Sequence, residues 1–227
     1  MAAAQRKTNW FAIWVSVGVV VVLVLVGALV VWMNTAAKDP GTLPESGGID
    51  TTTGAIAVGE GANELATYID FMCPICGDFE ASYGEEMLGL VEDGTITLNI
   101  HPISILDRYS QGTQYSTRAA NAMYCVADSD PTATVAFMQT LFENQPAEQS
   151  EGLSDQELID FAKGVTDADV ASCITDGTYK DFVAAMTEKT PIQPGASGIG
   201  TPTIAVNGEV ISNSTIPSPG SLATLFE

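Results

Sequence analysis

The sequence Cys73-Pro74-Ile75-Cys76, set where a strand runs into a helix, constrains this chain more than any other feature. The preceding run Leu65-Ala66-Thr67-Tyr68-Ile69-Asp70-Phe71 is apolar, β-branched and aromatic, the pattern of a buried strand. Gly77-Asp78-Phe79-Glu80-Ala81 then reads as the opening of a helix. A cysteine at that junction is predicted to present an accessible thiol at a helix N-terminus, where unpaired N–H groups and the helix dipole favour the thiolate. The second cysteine, one turn on, is placed to resolve a mixed disulfide. Such a pair can also be half of a zinc site, but zinc needs a second pair or histidines. The chain has no second C-x-x-C and a single histidine, His101, so no metal or other cofactor is expected. His101 beside Pro102 reads as structural, and the scattered methionines read as core filling.

Residues 10–33 carry no charge and are dominated by Val and Leu. A helix of that length would span the hydrocarbon core of a bilayer, about 30 Å. Trp10 and Trp14 lie at one end and Trp32 at the other, as interfacial anchors would. Arg6 and Lys7 precede the run and no acidic residue occurs before Asp39, which places residues 1–9 in the cytoplasm and the remainder outside the cell membrane. A cleaved signal peptide ending at Thr35-Ala36-Ala37 competes, but its apolar core should span only about 7–15 residues. Residues 34–54, rich in Pro, Gly, Ser and Thr, are predicted to form a flexible linker.

Outside the cytoplasm cysteines can stay oxidised. Cys125 and Cys173 are left over from the C-x-x-C, and both fall in helical stretches, so a structural disulfide between two helices is expected. The alternative, a second redox pair feeding the first, has no support in their spacing. The chain holds 28 Asp and Glu against 8 Lys and Arg, for a net charge of −20. That balance argues against nucleic acid, whose phosphates need clustered Lys and Arg, and fits a solvated acidic surface.

Ala55-Ile56-Ala57-Val58 is a candidate edge strand, and Thr95 to His101 a further strand after a helix over about 74–91. A strand–helix–strand of that length implies a parallel pair with a crossover helix. From about 111 to 189 the pattern is helical, with Asp130-Pro131 as a helix start and Ser154-x-x-Glu157 as a capping box. β structure returns at Thr203-Ile204-Ala205-Val206, a turn at Asn207-Gly208, and Glu209-Val210-Ile211. Residues 218–226 are a candidate final helix.

The stretch from Tyr68 through Cys73-Pro74-Ile75-Cys76, together with Gly200-Thr201-Pro202-Thr203 ahead of the hairpin, resembles the DsbA-like thioredoxin-fold oxidoreductases. The resemblance covers about residues 55–227. It implies an α/β thioredoxin fold with an inserted helical subdomain at about 111–189, preceded by one transmembrane helix. It implies Cys73 as the cysteine that forms the mixed disulfide and Cys76 as the resolving one. It implies a cis Thr201–Pro202 bond facing them, and a substrate groove shaped by Thr201, Pro202, Pro74 and Ile75. The partners implied are unfolded or reduced exported proteins and a quinone-linked membrane reoxidant, with a disulfide oxidase as the activity.

Departures from the family pattern also carry information. Met72 stands where thioredoxins carry tryptophan, and Thr67 where many carry a buried acid, which leaves Asp70 as the nearest proton-transfer candidate. Backbone N–H groups at the strand end would serve that carboxylate equally well. Ile75 stands where strongly oxidising members carry histidine. A reductase or isomerase on the same fold, or a noncatalytic binding domain, are the alternative readings.

Overall fold

The computed structural model describes residues 10–35 and 40–227, in two separate units, one ending at Asp39 and one starting at Pro40. Residues 1–9, with Arg6 and Lys7, and the linker residues 36–39 lie outside the described set. In the first unit, helix α1 covers Trp10–Thr35. Its side chains are described at Trp10 and over 13–28, and all of these are exposed. Among the described residues, no helix is long and apolar enough to cross a membrane.

The second unit is built on a five-stranded sheet ordered β1-β3-β2-β4-β5. Its strands are β1 (Ile56–Val58), β2 (Asn63–Ile69), β3 (Ile96–Pro102), β4 (Thr203–Val206) and β5 (Glu209–Ile211). Strands β2 and β3 are parallel, with Leu65 opposite Leu98 and Thr67 opposite Ile100; the other neighbours pair antiparallel. Helix α2 (Pro74–Glu92) is the crossover between the parallel strands. Strand alternation turns Leu65, Ile69, Ile96, Leu98 and Ile100 inward, into one core with Phe79, Met87 and Leu90 of α2. The hairpin turns at Asn207 and Gly208, both at positive φ of 50° and 82°, as a two-residue turn matched to strand twist requires.

Between β3 and β4 lie α3 (Tyr115–Ser129), α4 (Thr134–Glu143), α5 (Asp155–Val165), α6 (Ala171–Asp176) and α7 (Lys180–Glu188). The Ser154 hydroxyl accepts from the Glu157 N–H, and the Glu157 carboxylate accepts from the Ser154 N–H, so a capping box opens α5. Asp130 caps a 3-10 turn at Pro131–Ala133 that leads into α4. Cys125 of α3 and Cys173 of α6 are joined in a disulfide with their Cα atoms 5.9 Å apart. Buried Asn121, one turn before Cys125, accepts from the Tyr179 N–H at 2.7 Å and donates to the Cys173 carbonyl at 3.3 Å.

Two segments differ from expectation. The linker predicted over 34–54 is, from Pro40 onward, part of the folded unit. Asp128 Oδ1 accepts the N–H groups of Glu45 and Ser46, Ile49 is buried and bridges to Ile56, and the Gly54 carbonyl accepts from the Tyr124 hydroxyl. At Gly54 (φ 77°) a Cβ would stand 2.6 Å from Met186 Cγ, so glycine there permits close packing. The C-terminus forms a 3-10 turn over Leu222–Phe226 in place of the expected helix over 218–226. Pro219 and Gly220 break helical propagation, and Glu86 on α2 accepts from the Gly220 N–H at 2.7 Å.

Candidate active site

Strand β2 ends at Ile69 and the chain turns through Asp70-Phe71-Met72 to Cys73, the N-cap of α2 in an extended conformation (φ −78°, ψ 114°). Pro74 at the first helical position has no N–H to leave unpaired and is preset in φ for the helix. The Cys73 carbonyl accepts from Cys76 N at 3.0 Å and Gly77 N at 3.2 Å, closing the first turn. Both thiols are free, and they are unequal. Cys76 has no exposed surface, whereas Cys73 keeps 6%. The accessible thiol expected of Cys73 is therefore corrected to a nearly covered one. The cover is the loop before β4, which lays the Thr201 carbonyl 3.5 Å from Cys73 Sγ.

The Cys73 thiol is held down to about 6 from its ordinary 9.0. The hydrogen bond from the Cys76 thiol is the largest cause; the Thr201 hydroxyl and the N–H groups of Cys76 and Ile75 add to it, while burial opposes. The Thr201 carbonyl pulls the other way, since it can only accept from the protonated thiol; the several donors outweigh it. Burial, reinforced by the hydrogen bond and charge of Cys73, pushes the Cys76 thiol up. Cys73 is thus the better thiolate and the better leaving group.

The Thr201–Pro202 peptide bond is cis. The Pro202 carbonyl accepts 2.9 Å hydrogen bonds from the side-chain amides of Gln193 and Asn213, which pin the loop from both flanks. Beside it lies a groove of about 250 Å³ lined by Ile75, Phe79, Tyr83, Pro202 and Ile216 among others. Ile75 is 61% exposed and forms the wall of the groove next to the thiols. Of the residues predicted to shape a substrate groove, Ile75 and Pro202 line it, Thr201 faces both sulfurs, and Pro74 is exposed at the helix start.

Asp70 is fully buried. Its Oδ1 accepts from Met72 N (2.9 Å), and its Oδ2 accepts from Ile105 N (2.8 Å) and Leu106 N (2.9 Å). Burial raises its carboxyl to about 6 against the pull of those donors. The Asp70 backbone N–H, and not its carboxylate, is the group directed at Cys76. The geometry makes Asp70 a brace between the active-site turn and the segment after β3. His101 is stacked on Tyr68 at 4.1 Å, with Nδ1 3.2 Å from the Thr53 carbonyl, and makes no contact with the thiols. Among the described residues no cluster of His, Cys, Asp or Glu could hold a metal ion.

Two residues that sequence reasoning did not single out adjoin the site. Glu80, one turn beyond Cys76, is pushed up to about 7 by burial beside a hollow of about 280 Å³. Gln145, after α4, reaches across to the C-x-x-C turn. A carboxylate at i+4 on the same helix face could have drawn attention to Glu80; nothing local marks Gln145.

The sequence profile of the thioredoxin family matches residues 51–219, and the chain belongs to that family. Its fold resembles the reduced disulfide bond oxidoreductase DsbG of Mycobacterium tuberculosis, at a TM-score of 0.62 and 27% identity over 75% of this chain and 91% of that one. Reduced DsbA from the same organism aligns at 0.62 and 26% identity, covering 75% and 96%. The thiol-disulfide oxidoreductase MdbA of Actinomyces oris aligns at 0.63 and 25%, covering 82% and 96%. With the paired thiols in place, these likenesses define a DsbA-like thiol-disulfide oxidoreductase. The chain is also 32% identical over 170 residues to serine/threonine-protein kinase PknE of Mycobacterium tuberculosis. That match covers 70% of this chain but only 30% of the length of the curated relative.

Proposed function

We propose that this oxidoreductase works as a membrane-anchored oxidase that introduces disulfides into exported proteins. What supports the direction is the set of donors on Cys73, the Cys76 thiol, the Thr201 hydroxyl and the first-turn N–H groups, which hold its thiol at about 6. A lowered first thiol is common to C-x-x-C oxidants and reductants, and the potential of the couple decides between them. Stabilising the thiolate stabilises the reduced pair, and a pair whose reduced form is favoured is an oxidant.

In the oxidising half-reaction a substrate thiolate attacks Cys73 Sγ of the Cys73–Cys76 disulfide. The S–S bond breaks and Cys76 leaves, taking up a proton. A second substrate thiolate attacks the substrate sulfur of the mixed disulfide and expels Cys73 as thiolate. Two electrons pass from substrate to protein, and the substrate gains one disulfide. The raised Cys76 favours its protonation, and the depressed Cys73 eases its departure in the last step. The groove walled by Ile75, Tyr83 and Ile216 would hold apolar residues flanking the substrate cysteine, as in unfolded or reduced proteins.

The anchor rests on α1, whose 26 residues carry no charge; a helix apolar on every side belongs in a core or a bilayer. The uncharged run of residues 10–33, with tryptophans at both ends, is the feature that supports the anchor. A quinone-linked membrane protein would reoxidise the pair. Equilibration of the purified domain in graded glutathione buffers, followed by alkylation, measures the couple. A potential near −120 mV is expected for an oxidase, whereas one near −270 mV would assign a reductase (both approximate).

A further inference from the structure

The helical insertion reaches the active-site turn with the side-chain amide of Gln145 and, beside it, the ring of Phe142. Gln145 Nε2 donates to the Phe71 carbonyl at 3.1 Å and to the Cys73 carbonyl at 2.9 Å. One –NH₂ group thereby bridges the last residues leaving the strand to the residue that caps α2. Gln145 is itself held in place: its backbone N–H donates to the Phe142 carbonyl at 3.2 Å, and the Phe142 ring packs on Phe71 with centroids 5.0 Å apart.

A second, independent observation lies on the helix. A Cβ at Gly77 would stand 2.5 Å from Gln145 Oε1, so the amide end of that flexible side chain would have to move aside. Glycine in the first turn of a helix is unfavourable relative to alanine. Here it clears the path along which the glutamine crosses α2. Gly77 and Gln145 are thus complementary, although 68 positions separate them in the chain.

We propose that Gln145 is a positioning residue for thiol–disulfide exchange: by stapling the carbonyls of Phe71 and Cys73 it fixes the Cys73 backbone so that the amides of the first turn face Sγ, and it makes the helical insertion a determinant of the acidity and potential of the couple. The proposal rests on the reading of Cys73 as the sulfur that forms the mixed disulfide with substrate. Without the staple, the Cys73 carbonyl keeps its two helical donors but the turn loses its tie to the insertion, and the N–H groups of Ile75 and Cys76 drift from the sulfur.

The test uses Gln145→Met, close in size but without a donor, and Gly77→Ala, which keeps the glutamine but obstructs its path. Thiolate absorbance against pH, glutathione equilibrium and thermal melting are measured on each variant and on the wild type. In both variants the Cys73 pKa is expected to rise, so that the thiolate fraction at pH 6 falls about threefold, and the equilibrium shifts toward the disulfide form. Gln145→Glu should raise it further, because a carboxylate facing two carbonyls and a thiolate repels all three. Lower melting temperatures with an unmoved thiol pKa and an unmoved equilibrium would show that Gln145 is a packing element only, and would overturn the proposal. A wild-type Cys73 that itself titrates near 9 would instead remove the exchange reading, and the staple's role with it.

Discussion

The Cys73 sulfur lies 3.5 Å from the carbonyl oxygen of Thr201, a residue 128 positions further along the chain. This contact closes the site: it joins the N-terminus of α2 to the loop before β4 and covers most of the reactive thiol. It also sets a balance in the chemistry. The carbonyl can accept only from the thiol form, while the Thr201 hydroxyl, the Cys76 thiol and the amides of the first turn favour the thiolate. The donors prevail.

The pH dependence of Cys73 follows directly. With its thiol held at about 6, alkylation by a small reagent should be near maximal at pH 7.5 and fall to half near pH 6. Cys76 should stay unreactive throughout that range, since its thiol is pushed up and buried. The linkage has the same sign: folded Cys73 ionises more readily than unfolded Cys73. The reduced protein therefore gains stability from this group as pH rises from about 6 to 9, and loses it as pH falls through 6. Chemical unfolding of the wild type and of Cys73→Ser across that window checks the sign.

Asp70 is expected to act on stability more than on chemistry. Asp70→Asn replaces an acceptor of three backbone N–H groups by a side chain with only one acceptor atom. Unfolding free energy should drop by about 2–4 kcal/mol, the cost of leaving one or two buried donors unmet. The thiolate pKa of Cys73 should move far less than in a variant that removes a donor to the sulfur. If exchange is lost in a variant that stays folded, the carboxylate has a proton-transfer role.

The Cys125–Cys173 disulfide closes a separation of 48 residues within the insertion. Replacing both cysteines by alanine should lower stability by roughly 4 kcal/mol on the chain-entropy account. Exchange at Cys73 should persist in the folded fraction. If the double variant matched the wild type in stability but lost turnover, the bond would belong to the redox chemistry.

Much of this architecture was legible because its signals are local. The strand into Cys73, Pro74 at the first helical position, the capping box at Ser154 and Glu157, and the turn at Asn207-Gly208 each depend on residues within a few positions of one another. What escaped depends on long-range pairing. Residues 45–54 have the composition of a tether, and distant partners hold them down, Asp128, Tyr124, His101 and Lys189 among them. The cover over Cys73 comes from a loop whose path is set by Gln193 and Asn213. Gln145 carries no motif, and its significance lies in which two carbonyls it reaches.

Trapping of the covalent intermediate tests the exchange mechanism most directly. Cys76→Ala, expressed in its native compartment and quenched with acid, should accumulate mixed disulfides formed as its Cys73 thiolate attacks disulfides of exported proteins and displaces one substrate thiolate, and thiol reductants should release them. Cys73→Ala should accumulate none. Adducts held by Cys76 in the Cys73→Ala variant, or none in either variant while the wild-type protein oxidises a reduced substrate, would contradict the assignment of Cys73 as the sulfur that meets the substrate.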